Sequence, residues 1–252
     1  VATHAAAIED MDTSIGMVMA KLDELGIRDN TYIVFTSDNG KGLFNGEDRI
    51  LRGEKWWLWE GGIRVPMSMS GPGIAAGSRS SLNVVGYDFL PTFYEIAGGN
   101  VDRLENVDGV SIMPIVSGGH VDGFKERALF FHYPHYRNTT PHSVVIKDNY
   151  KLFDFYELPE PYLFDLKKDI GEVTNITKQM PEKAQCLQAE LDFYHKRVDA
   201  LLPKPNPNAS DSYVRFDPDV KMPPVAELGN GKAPTGDSGK SEKRTKKKNK
   251  KS

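Results

Sequence analysis

At 252 residues, with 39% hydrophobic and 27% charged side chains, the chain is long enough to bury one substantial core and a smaller companion. No stretch approaches the roughly 18 to 20 uninterrupted apolar residues needed to cross a bilayer, and no charged start leading into an apolar core and a small-residue cleavage site opens the sequence. The composition fits a soluble globular protein and excludes a membrane-spanning helix, while the net charge of −3 hides an uneven distribution. Lys240–Ser252 holds eight Lys or Arg against Glu242, a net +7 that leaves the remainder at −10 and separates an acidic body from a basic tail. The opening Val1-Ala2-Thr3-His4 runs into helix-like sequence without an initiator Met, so the chain is expected to begin inside a longer protein.

In chain order, Ile8, Met11, Ile15, Val18, Leu22 and Leu25 recur at three- and four-residue spacing and predict one face of a helix ending near Gly26. Thr31–Thr36 is short, β-branched and aromatic, which predicts a strand covered on both faces in a parallel sheet. A second apolar run, Ile63–Met69, closes at the turn signal Gly71-Pro72-Gly73. Between Ser81 and Ala97 the spacing is helical again, with Pro91 implying a kink or a helix start near Leu90 and Gly98-Gly99 stopping it. This alternation predicts an α/β fold over residues 1–118.

Beyond Gly119 the texture changes to short strand-like pieces, Ala128–His132, Ser143–Ile146 and Tyr150–Phe155, which predict a small antiparallel sheet. Leu187, Leu191, Tyr194, Val198 and Leu201 then line an amphipathic helix within Pro181–Leu202 that can pack on that sheet, closing a subdomain over 119–202. The lone Cys186 allows no disulfide within the chain and is read as a small buried apolar residue of that helix. Residues 203–252 are rich in Pro, Asn, Gly and Ser and are expected to stay unfolded, with the basic end available to a polyanion but no specific nucleic-acid contact expected.

Chemistry concentrates in two stretches. Thr36-Ser37-Asp38-Asn39-Gly40 falls where the predicted strand ends, a carboxylate beside a carboxamide gives oxygen donors suited to a hard cation, and the Gly permits a sharp turn. Taken alone, Asp-Asn-Gly is also an ordinary turn. Leu51–Pro66 then packs charges, aromatics and glycines at a density folding does not require, and it holds all three tryptophans, Trp56, Trp57 and Trp59. Two alternatives stand for these rings, a stacking face for a sugar or aryl group and core packing. His132-Tyr133-Pro134-His135-Tyr136 follows a predicted strand and reads either as a loop carrying binding groups or as a satisfied structural histidine pair.

Asp38-Asn39-Gly40, then Leu51-Arg52-Gly53, Lys55 and Trp59-Glu60-Gly61-Gly62-Ile63-Arg64-Val65-Pro66, is very similar to the pattern of the sulfatase family. Tyr87-Asp88 with Leu90-Pro91-Thr92, Asp108-Gly109-Val110-Ser111, and Leu163-Phe164-Asp165-Leu166 with Asp169, Gly171-Glu172 and Asn175 continue the likeness in order over roughly residues 5–200. The resemblance implies an alkaline-phosphatase-like mixed sheet flanked by helices, followed by a small antiparallel sheet with a helix. It implies that Asp38 and Asn39 are metal ligands, joining an earlier aspartate pair around Ca2+ or Mg2+, and that Lys55 contacts the sulfate. A positive charge there would stabilise charge developing in the transition state. Glu60 and Arg64 match the family pattern as well and are read as structural, locking a turn around Gly61-Gly62. His132 and His135 resemble a segment that borders the substrate pocket in some polysaccharide-acting sulfatases.

The family's nucleophile is a formylglycine made from a Cys or Ser opening a Cys/Ser-x-Pro-x-Arg motif, and this sequence has no such motif: Ser70-Gly71-Pro72-Gly73 ends in Ile74, and Cys186 precedes Leu187-Gln188. The chain is therefore expected to be the C-terminal part of a sulfatase, inactive alone, whose substrate is a sulfated carbohydrate or aryl sulfate. The resemblance favours a periplasmic or extracellular location. Two further readings remain: a phosphatase or phosphodiesterase of the same wider fold, and a non-catalytic module that binds sulfated polymers.

Overall fold

The computed structural model describes residues 2–42, 50–136, 139–204 and 206–208. The chain divides into one compact unit over Val1–Pro218 and a second over Asp219–Ser252, and the second, with the basic tail, lies outside the described residues.

The first helix, α1 (Ala2–Glu24), is built on alanines and straight-chain residues that favour the helical state. It ends as the spacing predicts: Gly26 takes φ 66°, its amide bonds Asp23 O, and the Ile27 amide reaches back to Leu22 O at 3.1 Å. This left-handed cap satisfies carbonyls that the last helical turn leaves open. None of the residues of α1 is buried, and Val18, on the predicted apolar face, is 61% exposed.

Strand β1 (Ile33–Thr36) pairs antiparallel with β2 (Met67–Ser70), Ile33 facing Ser70 and Thr36 facing Met67. The expectation of a parallel, doubly covered strand is corrected here. Among the described residues the connection from β1 to β2 is a folded-back loop with the four-residue helix α2 (Glu60–Ile63), so the chain returns in the opposite sense. Both ends of β1 keep solvent contact, and Phe35 is exposed. A 3-10 turn over Gly86–Asp88 leads directly into α3 (Phe89–Ile96), whose start confirms the Pro91 signal, since Pro sits comfortably in a first turn where its missing N–H costs nothing. The short helix α4 (Met113–Val116) follows.

The four-stranded sheet is an antiparallel meander of β3 (Leu129–Tyr133), β4 (His142–Lys147), β5 (Tyr150–Phe155) and β6 (Tyr162–Asp165). The two-residue turn Asp148-Asn149 joins β4 to β5, with Asp148 at φ 57°, a conformation Asp tolerates better than most residues. Because side chains alternate along a strand, the sheet offers two faces. Val144, Ile146, Phe153, Phe155 and Phe164 pack with Trp59 on one, while Val145, Leu152 and Leu163 pack with Ala184, Leu187 and Leu191 of α5 (Pro181–Arg197) on the other. Covering both faces explains why apolar side chains stand at consecutive positions in Val144-Val145-Ile146 of β4 and Leu152-Phe153 of β5.

Two expectations for α5 change. Its buried line is Ala184, Leu187, Leu191 and His195, so Cys186, about 100° around from Leu187, is exposed rather than buried. The helix stops at Arg197, and Val198 and Leu201 face solvent. Strand β6 carries Leu163-Phe164-Asp165, residues read only as a family motif, and its apolar pair fills one position on each face of the sheet. Among the described residues no helix is long and apolar enough to cross a membrane.

Candidate functional site

Asp38 and Asn39 stand just past the end of β1, Asp38 exposed and Asn39 half-buried, and Ser37 Oγ donates to Asn39 O at 2.9 Å within the turn. The backbone that follows is held by the second chemistry-bearing stretch. The Gly40 amide donates to Gly62 O at 2.8 Å, Lys41 to Gly61 O at 3.1 Å, and the Lys55 amide to Lys41 O at 2.8 Å. These three bonds set Lys55 beside the turn that bears Asp38 and Asn39. The approach is too close for side chains: a Cβ on Gly40 would lie 2.1 Å from Gly61 O, and one on Gly62 would lie 2.0 Å from Trp57 O. The Gly-Gly pair is therefore a steric requirement of the passage, which is how a motif that looked like a sharp turn becomes a backbone lock.

Lys55 is half-buried, with Nζ 5.8 Å from the centre of the Trp56 ring. Trp56 itself takes φ 80°, an unusual conformation for a bulky aromatic residue and one that marks backbone strain beside Lys55. Two of the three tryptophans resolve to core packing. Trp59 is only 1% exposed and packs against Phe153, Phe155 and Phe164 at centroid distances of 4.1, 6.2 and 5.5 Å, so it is a core anchor. Trp57 joins the edge of the same cluster.

The loop is tied down at both stems. Arg52 lies over the Trp59 ring, 3.7 Å from its centre, and donates from Nη1 to Glu172 O at 2.6 Å. At the other stem the Glu60 amide donates to Glu172 Oε2 at 2.7 Å. Lys151 of β5, fully buried, pairs with Glu60 Oε1 at 3.0 Å and Glu172 Oε1 at 2.8 Å. Arg64 adds a partly exposed contact to Glu60 Oε2 at 3.3 Å, in keeping with the structural reading of Glu60 and Arg64. Burial raises the carboxyl pKa of Glu172 above its usual range, and the Lys151 ammonium opposes that rise.

The histidines occupy other ground. His132 lies on the α5 face of the sheet, opposite the face that receives Trp59. Its Nδ1 is 2.7 Å from Ser143 Oγ and its Nε2 is 3.1 Å from Leu201 O, with His195 Nε2 also 2.9 Å from Ser143 Oγ. Both ring nitrogens of His132 are thus engaged within the fold. His135 is exposed past the end of β3, edge-on to Tyr133 at 5.4 Å. The structure ties the Lys55 backbone to Lys41, two residues past Asn39, and sets His132 on the α5 face of the sheet, engaged with Ser143 and Leu201.

The remaining motif residues are architectural. Asp88 is fully buried, paired with Arg127 through both carboxylate oxygens at 2.7 and 2.6 Å, and accepts the Val85 and Val110 amides. Asp169 accepts from Val173 and Thr174, and Asn175 Oδ1 accepts from Leu163. Sequence reasoning passed over Lys151. The available signal was its parity: it shares the inward register of β5 with Phe153 and Phe155, so a lysine there requires a buried acid.

Among the described residues no group of three or more His, Cys, Asp or Glu side chains is arranged to hold a metal ion. Asp38 and Asn39 offer hard oxygen donors at a strand end, which suits Ca2+ or Mg2+, as a partial shell.

The chain matches, over residues 47–199, the family model described as N-sulphoglucosamine sulphohydrolase, C-terminal. It is 32% identical to a sulfatase of Formosa agariphila over 77% of this chain and 38% of that protein. Its fold is similar to that of a protein solved with its substrate D-glucosamine-2-N,6-O-disulfate, with TM-score 0.64 and 29% identity over 76% of this chain and 39% of the other. The phosphonate monoester hydrolase of Agrobacterium radiobacter is more distant, with TM-score 0.54 and 25% identity over 77% and 40% of the two chains. The fold is thus of the sulfatase and alkaline-phosphatase-like α/β class. Within that class, the chain belongs to the sulfatase family and corresponds to its C-terminal part, spanning about two-fifths of the length of these relatives.

Proposed function

We propose that the protein takes part in metal-assisted hydrolysis of sulfate esters on a sulfated carbohydrate, and that this chain contributes one half of the active site. The observation that carries the reading is the backbone lock that sets Lys55 against the Asp38-Asn39 turn in a chain of the sulfatase family. Asp38 and Asn39 would hold Ca2+ or Mg2+, with the rest of the six to eight oxygens coming from residues outside this chain. A cation held there would supply Lewis-acid polarisation of the sulfate.

Lys55 then serves as the ammonium that meets the sulfate group and stabilises negative charge on the departing oxygen, a role suited to a side chain whose backbone is fixed by the Lys41 carbonyl. His135, exposed beyond β3, is the better placed of the two histidines to meet a sugar, since both nitrogens of His132 are occupied. The nucleophile is a formylglycine supplied from outside these residues, so the chain alone does not turn over. A periplasmic or extracellular site of action accompanies this reading.

A chromogenic aryl sulfate and glucosamine 6-sulfate, offered to the 252-residue chain alone, are expected to release no sulfate. Offered to a product carrying upstream residues, co-expressed with a formylglycine-generating enzyme, they are expected to be hydrolysed, and Lys55→Ala is expected to lower kcat at least 100-fold. Sulfate release by the isolated chain, or full activity in Lys55→Ala, would remove the assignment. The likeness to the phosphonate monoester hydrolase favours a second reading, which an aryl phosphonate assay separates: phosphonate cleavage without sulfate release would adopt it.

A further inference from the structure

Glu172 touches both stems of the loop that carries Lys55. Its carbonyl accepts from Arg52 and its carboxylate accepts the Glu60 amide, so one residue, itself at φ 53°, closes the loop from residue 52 to residue 60. Gly61 N donates to Arg52 O at 2.6 Å and shuts the base of the same loop. Lys151 stands behind this clamp, fully buried in β5 and reaching both Glu60 and Glu172.

A buried charge cluster is a poor way to gain stability, because removing ions from water costs several kcal/mol per ion and well-packed apolar residues of the same volume often do as well or better. What such a cluster does provide is directional constraint, since each ion must meet its partner in one geometry. The charged groups facing it are few and opposed: Glu60 and Glu172 against Lys151, with Arg64 on Glu60, Arg52 on the Glu172 carbonyl, and His142, four residues along the same sheet face, kept neutral chiefly by burial.

We propose that Lys151 and Glu172 are positioning residues for Lys55: together they clamp the stems of the 52–60 loop to the C-terminal sheet and so fix the backbone of Lys55 against the turn bearing Asp38 and Asn39. The role rests on the reading of Lys55 as the sulfate-binding lysine.

Amide hydrogen exchange on the full 252-residue chain tests the clamp without needing turnover. Lys151→Met and Glu172→Gln are compared with Leu187→Ala, which opens a cavity on the opposite face of the same sheet. Both clamp variants are expected to speed exchange of the Gly40, Lys41, Lys55 and Gly61 amides at least tenfold more than that of the β3–β4 amides, whereas Leu187→Ala speeds sheet and loop alike. Loop amides that keep step with the sheet in the clamp variants, or that do not change, would overturn the proposal. Should Lys151→Met fail to fold, Glu172→Gln decides, since it conserves volume and leaves Lys151 its bond to Glu60; failure of both variants to fold would show a structural role and sink the positioning one. The sulfatase reading fails separately, by the absence of sulfate release from a product that carries the upstream residues, is co-expressed with the formylglycine-generating enzyme and keeps its loop clamped.

Discussion

The sheet of β3–β6 with α5 and the segment of α1, β1 and β2 carry apolar patterns of similar strength, yet they meet water very differently. In the first, Val144, Val145, Leu152, Phe153 and Leu163 are wholly inaccessible; in the second, α1 buries nothing and Phe35, Met17 and Val18 are open. An apolar stripe states what a segment is able to bury. Whether it does so depends on a partner surface, and only the meander brings its own, one face for α5 and one for the Trp59 loop.

The contrast is broken most directly at Trp59, which joins the loop to the sheet. Trp59→Ala is expected to cost about 3–5 kcal/mol, read as a lowered midpoint in urea denaturation followed by circular dichroism. An unchanged midpoint would mean that the sheet is stable without the loop.

A smaller effect comes from acid. His142 is buried against Phe153 and Phe155, and desolvation lowers its pKa from 6.5 to about 4. The unfolded chain takes up a proton near pH 6.5 while the folded one resists until about pH 4, so the stability due to neutral His142 is complete above pH 6.5 and is lost as pH falls through that window. The loss amounts to about 3 kcal/mol, and His142→Phe should flatten the profile there. An equally steep acid limb in the variant would assign it to other groups.

Gly40→Ala comes next, at about 1–3 kcal/mol, because the new methyl meets the Gly61 carbonyl and the lock must open. Faster exchange of the Lys41 and Lys55 amides would report it; wild-type protection would show that the strands yield without cost. The smallest change sharpens the other side of the comparison. Val18→Ser on α1 should shift stability by less than about 0.5 kcal/mol in this chain, as expected for an exposed site. A loss of 2 kcal/mol or more would reveal a partner for that face.

Much of the architecture was legible in local pattern. The span Tyr150–Phe155 agrees with β5, and the Gly26 and Pro91 signals mark where α1 ends and α3 begins. These follow from backbone preferences and side-chain periodicity, which act over a few residues. The direction of β1 was not legible, because a short apolar strand has the same composition in parallel and antiparallel pairing. Cys186 was misplaced because each residue step turns an α-helix by about 100°, so the neighbour of buried Leu187 can point outward.

The candidate site divides along the same line. The order of Asp38, Asn39, Lys55 and the Gly-Gly pair is a property of the sequence, and it was enough to indicate the family and the residue types its chemistry uses. The engagement of His132 with Ser143 and Leu201, and the grip of Lys151 and Glu172 on the loop stems, belong to the tertiary structure alone. Sequence determines which groups a chain can present and which local turns it can make. Glu60 and Lys151 are 91 residues apart and meet only because β5 and the Trp59 loop share one face of a core, a pairing decided by burial across the whole fold.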